Sequence, residues 1–175
     1  VGAMIKDDKQ LAYSQEWAEK FAEANRKLRA NEEKRLKDPD GWQLIQDSND
    51  ALRQKLVDEI VEYEMLAAHN PNEPITLQVE CMNKISDLLI KARIAFKITP
   101  KELAALCGHT EEQIKLFEDK DYQNATFLDF LAVSDALGVE IIDGKFIAKM
   151  DEFYLKRLEA IRQAASINAE LQTAS

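Results

Sequence analysis

Only two histidines and two cysteines stand among the 175 residues, so few side chains could serve as metal ligands or nucleophiles. His69 and His109 have no cysteine or carboxylate at ligand spacing on the same expected element, and zinc chemistry needs such a set. Cys81 and Cys107 are too few and too poorly placed for a zinc site or a disulfide framework, which favours a reducing cytoplasm. Cys107 also lacks the adjacent positive charge that a reactive thiolate requires and reads as a small buried turn residue beside Gly108. Glu59, Glu62 and Glu64 read as a solvated helix face rather than a carboxylate site. There is no glycine-rich phosphate loop and no G-x-S-x-G elbow. The expectation is that the chain is not an enzyme and uses no cofactor and no metal.

The stretch with the most organised pattern is Thr99 to Asp119, TPKELAALCGHTEEQIKLFED. Thr99, Pro100 and Glu102 supply a helix cap, a first helical residue and a capping-box partner. Leu103, Ala104 and Leu106 give this helix its apolar side. Gly108 can take the left-handed conformation that ends a helix at no steric cost. Thr110 and Gln113 repeat the box for a second helix, in which Ile114 and Phe117 share one face. Two short helices across a tight turn make a helix-turn-helix pattern.

In spacing, this unit resembles the Cro/CI-repressor-like (XRE) family. Counted from Pro100, a small residue falls at the fifth place (Ala104), a turn glycine at the ninth (Gly108) and a buried aliphatic at the fifteenth (Ile114). LLIKARIAFKITPKELA (Leu88 to Ala104) is similar to the family's first helix leading into its second, and FLDFLAVSDALGVEI (Phe127 to Ile141) to its closing helix. The resemblance covers roughly residues 76–143. It implies a lambda-repressor-like helix-turn-helix domain that binds operator DNA as a homodimer. In that reading Gln113 and Glu112 face base edges, Gln suited to adenine and Glu to the cytosine amino group. Lys101, Thr110, Lys115, Lys120, Tyr122 and Gln123 would hold phosphates and fix register. A toxin-neutralising antitoxin that represses its own operon is one such regulator, with a toxin as protein partner.

Three features depart from the family pattern. Pro100 and Glu111 replace two glutamines, and Glu112 adds a second carboxylate where phosphates would approach. His109 takes a turn position that is usually aliphatic. From Met82 to Asp143, seven Lys and Arg stand against eleven Asp and Glu, a sign opposite to the usual footprint on DNA. The alternative reading is therefore a protein-interaction module that keeps the helix-turn-helix as scaffold and binds a partner through its acidic face.

Around this unit the chain reads as mainly α. Val1 to Met4 reads as a cloning scar. Residues 5–70 form an N-terminal helical hairpin, with helices expected over Ser14–Lys37 and from about Asp47 to Ala68, a break at Asp38–Gly41, and Trp17 and Trp42 as packing anchors. HNPNEP (His69 to Pro74) reads as the clearest linker, and residues 71–75 are the linker that marks a domain boundary. Thr76 is expected to cap a helix whose stripe is Val79, Met82, Ile85, Leu89, Ala92 and Phe96, with Lys91, Arg93 and Lys97 as its basic positions. Residues 139–147, VEIIDGKFI, are expected to form a small β-hairpin around Asp143-Gly144. Residues 148–175 return to a C-terminal helix. The formal charge of −9 argues against nucleic-acid coating or attraction to anionic membranes, and no apolar run reaches membrane length.

Overall fold

In the computed structural model the described residues are 4–173, with side chains described to Ile167, so Val1 to Ala3 of the expected scar lie outside them. Met4 packs against the core and Ile5 is buried. Eight α-helices and no strand occur among the described residues. The chain divides into one unit ending at Val139 and another beginning at Glu140.

In the first unit, α1 (Asp8–Ala30) starts on an Asp7 cap that accepts from the Gln10 N–H at 2.8 Å. The helix expected to run unbroken to Lys37 stops at Asn31, whose side chain caps the short α2 (Glu32–Lys37) through the Lys34 N–H at 2.9 Å. A side-chain oxygen that competes for backbone donors explains the break. Asp38 then caps α3 (Pro39–Ala68), with Pro39 at the first turn, so this helix begins eight residues before Asp47. α1 and α3 run antiparallel. Their seam holds Asn25 and Gln46, both buried: the Asn25 amide donates to the Gln46 carbonyl at 3.1 Å and to Asp50 at 2.7 Å. Trp42 donates its Nε1–H to the Leu28 carbonyl at 2.8 Å, and Trp17 is half-buried between Tyr13 and Phe21.

Thr76 caps no helix. Residues 74–79 carry no regular structure, a 3-10 turn follows at Met82–Lys84, and α4 begins at Ile85 (Ile85–Ala95). Ile75 and Leu77, two apart, both pack against the core, and that spacing belongs to extended backbone rather than to helix. α5 (Pro100–Cys107), α6 (Glu111–Asp119) and α7 (Phe127–Leu137) complete this unit. The linker does not separate two cores. Ile5, Tyr63 and Leu66 join Leu89, Ile90, Leu103, Ile114 and Val133 in one cluster.

The β-hairpin expected at 139–147 is absent. Neither Asp143 nor Gly144 has the positive φ that its two-residue turn requires. Ile141, Ile142, Phe146 and Ile147 are 78–90% exposed, so no sheet face is buried to pay for pairing. The second unit contains one helix, α8 (Glu152–Thr173).

Candidate nucleic-acid interface

α5 and α6 are short, and short helices depend on their ends. Both capping boxes form. The Thr99 N–H donates to Glu102 Oε2 at 2.8 Å and the Glu102 N–H returns to Thr99 Oγ1 at 3.2 Å; Thr110 and Gln113 repeat the exchange at 2.9 and 3.2 Å. Between the helices Gly108 takes φ 74°, ψ 28°, and the His109 N–H reaches the Ala104 carbonyl at 3.0 Å. Leu103, Ala104 and Ile114 are 0–3% exposed and hold the pair on the core.

A buried ion pair fixes α6 against α4. Arg93 meets both oxygens of Glu118, Nε–Oε1 at 2.5 Å and Nη2–Oε2 at 2.7 Å, and Nη1 donates to the Ile98 carbonyl at 3.0 Å. Lys6 adds a strap, its ammonium donating to the Glu118 carbonyl and pairing with Asp121 at 2.7 Å. Neither Arg93 nor Glu118 carried an expected structural role. Their separation of 25 residues leaves no local signal.

His109 is largely buried, edge-on to Phe117 at 5.5 Å, with Nε2 at 3.4 Å from Asp129. The Thr126 hydroxyl, then its N–H, holds the Asp129 carboxyl below the usual range. Cys107 is half-buried and donates to the Leu103 carbonyl at 3.0 Å, and burial pushes its thiol up. Among the described residues no cluster of three His, Cys, Asp or Glu is placed to hold a metal ion. No helix among them is long and apolar enough to cross a membrane.

The eight residues expected at a DNA surface fare differently. Lys101, Thr110, Glu112, Gln113, Lys115, Lys120 and Gln123 are exposed. Tyr122 is not: it is buried between Phe117 and Phe130, and its hydroxyl is covered and without a protein partner. Tyr122 is therefore a core residue and not a phosphate contact. Desolvation pushes its phenol well up. The oxygen of the Gln113 amide is committed to the cap, so a two-bond contact to adenine would cost that cap. Lys115 is paired with Glu111 at 2.6 Å; the bond to Lys115 lowers the Glu111 carboxyl and raises the Lys115 ammonium. Lys101 and Lys120 make no ion pair among the described residues.

Sequence reasoning missed Leu116, which is 49% exposed and lies four residues from both Glu112 and Lys120 on the open side of α6. Its only signal was a leucine out of register with Ile114 and Phe117. Leu106, Phe127 and Leu128 are also 62–76% exposed on α5 and α7. No protein-family model, no curated protein and no solved structure matches this chain.

Proposed function

We propose that α5 and α6 act as a helix-turn-helix of the Cro/CI-repressor-like kind, in a homodimeric regulator that reads operator DNA and has an antitoxin-type autorepressor as one form. The supporting observation is the conformation of residues 99–119: small Ala104 and aliphatic Ile114 are buried, and Gly108 between them is left-handed, at the three places where that pattern demands it. α6 would enter the major groove. Glu112 accepts from a cytosine amino group, Leu116 meets a thymine methyl, and the free Nε2 of Gln113 donates to a base acceptor. Lys101, Lys120, Gln123 and the Thr110 hydroxyl hold phosphates.

A second reading is favoured by a specific observation. Glu111 neutralises Lys115, and exposed Leu106, Leu116, Phe127 and Leu128 give the same unit an apolar, acidic surface suited to a basic protein partner. Fluorescence anisotropy over a salt series, with random and selected duplexes, separates the two. Replacing Glu111 and Glu112 with Gln removes two charges and releases Lys115. Non-specific affinity should rise, and the log–log salt slope should steepen by about one for the phosphate that Lys115 gains. If neither the parent nor the double variant binds any duplex at low salt, DNA reading is wrong and the partner-protein reading stands.

A further inference from the structure

Residues 140–167 carry the largest run of uncovered apolar side chains in the described chain. Ile141, Ile142, Phe146, Ile147, Met150, Phe153, Tyr154, Leu155, Ile161 and Ile167 are 44–90% exposed. At ~60–120 Å² of apolar surface for each such side chain, the ten expose on the order of 600–1,200 Å², about half of it from Phe153, Tyr154, Leu155, Ile161 and Ile167 on α8. One partner in a stable protein interface contributes ~800 Å². A surface of this size on a monomer calls for an occupant.

We propose that the occupant is a second copy of this chain, joined through an antiparallel pairing of α8 with α8. Three observations favour that partner. First, Tyr154, Leu158, Ile161 and Ala165 recur at spacings of four, three and four and form one stripe. Reversing a second α8 about the midpoint between Glu159 and Ala160 sets Tyr154 against Ala165 of the second copy and Leu158 against its Ile161. Each large residue then meets a small or matching one, as packing at interior density requires. Second, residues 140–175 hold six acidic and five basic side chains, whereas the other 139 residues carry −8 of the total −9. Two copies therefore meet most cheaply through this segment. Third, Arg157 and Arg162 flank the stripe on opposite edges, so the reversal that brings each level with the other keeps the seam between them, and their edge neighbours in the second copy are Ala164 and Leu155. Their aliphatic stems cover apolar surface while the charged heads remain in water.

This pairing does not rest on the DNA reading, since it is read without any duplex present. The test is sedimentation equilibrium of the full chain, with far-ultraviolet circular dichroism as a check on folding. The parent should dimerise. Ala165→Tyr places two large residues together and should weaken association by about tenfold or more. Adding Tyr154→Ala to that variant swaps large and small and should restore association to within about threefold of the parent. Failure of the swap to restore it overturns the register. A parent that stays monomeric at high micromolar concentration overturns the proposal. The cover would then be a membrane if that monomer co-sediments with phosphatidylserine vesicles, or the chain itself if α8 amides are protected from hydrogen exchange.

Discussion

The Arg93–Glu118 pair is the interior contact whose removal should be felt most strongly. The side chains are 9% and 6% exposed, the contact is bidentate, and Arg93 also serves the Ile98 carbonyl. Replacing Arg93 with Met leaves the Glu118 carboxylate inside without its fork of donors and leaves the Ile98 carbonyl unpaired. An uncompensated charge in such a place costs about 3–5 kcal/mol. Glu118→Gln keeps the shape and one acceptor but strands the guanidinium charge, and falls in the same range at its lower end. The double change Arg93→Met with Glu118→Leu removes both charges together, so it should cost at least about 2 kcal/mol less than the sum of the single changes. Urea unfolding followed through Trp17 and Trp42 supplies the numbers, because both indoles belong to the same unit as the pair. Single changes that each cost under about 1 kcal/mol, or strict additivity in the cycle, would refute the idea that this pair fastens α6 to α4.

Lys97 ends α4 in a left-handed conformation at φ 55°, with Lys97 N–H on the Ile94 carbonyl and Ile98 N–H on the Arg93 carbonyl. That is the place a glycine usually takes, so Lys97→Gly should stabilise the chain by about 0.5–1 kcal/mol in urea unfolding, and a loss of stability would show that the lysine side chain contributes something its exposure hides. Tyr63 is buried and donates to Asp8 at 3.0 Å, and burial, then Asp8, pushes its phenol from about 10 up to about 12. A group raised in this way stabilises the fold fully below the unfolded value and loses that contribution as pH climbs through the folded one. Between pH ~10 and ~12 the chain should therefore lose about 2 kcal/mol that the Tyr63→Phe variant does not lose over the same interval; parallel alkaline profiles for the two would remove Tyr63 as the cause.

What could be read from the sequence was local, and what could not was distant or competitive. The boxes at Thr99 and Thr110 and the left-handed Gly108 depend on residues within three or four positions, and the structure forms all of them. Ile114 and Phe117 are buried as their spacing implies. The break at Asn31 was missed because a polar, uninterrupted run looks helical until one side chain captures the next helix's N–H. At Thr76 no helix starts because Ile75 and Leu77 alternate against the core, and alternation outweighs a capping residue. The prolines around 71–75 mark a change of chain direction, and the core continues across it from Tyr63 and Leu66 to Leu89 and Ile114. Tyr122 was misplaced since a polar loop around it gives no hint that φ 59° turns its ring inward onto Phe117.

The acidity of residues 82–143 has a physical origin that precedes any ligand. α5, α6 and α7 span only 8, 9 and 11 residues, lengths at which an isolated helix does not persist in water. Each is held at its start by a capping box, and two of the three boxes use a carboxylate, Glu102 and Asp129. Glu111 and Glu112 occupy the first turn of α6, where negative charge complements the helix dipole. Glu118 is consumed inside by Arg93, and Asp121 by Lys6. Glu102, Glu111, Glu118, Asp121 and Asp129, five of the eleven acids, thus serve helix starts or ion pairs, while the Glu112 carboxylate stays open to solvent on α6. Part of the segment's negative charge therefore stems from how its short helices are started, and under the proposed function the balance among Glu112, Lys101 and Lys120 would decide which partner α6 accepts. In that proposal, releasing Lys115 from its 2.6 Å pair with Glu111 is the change that would tilt the face toward phosphate.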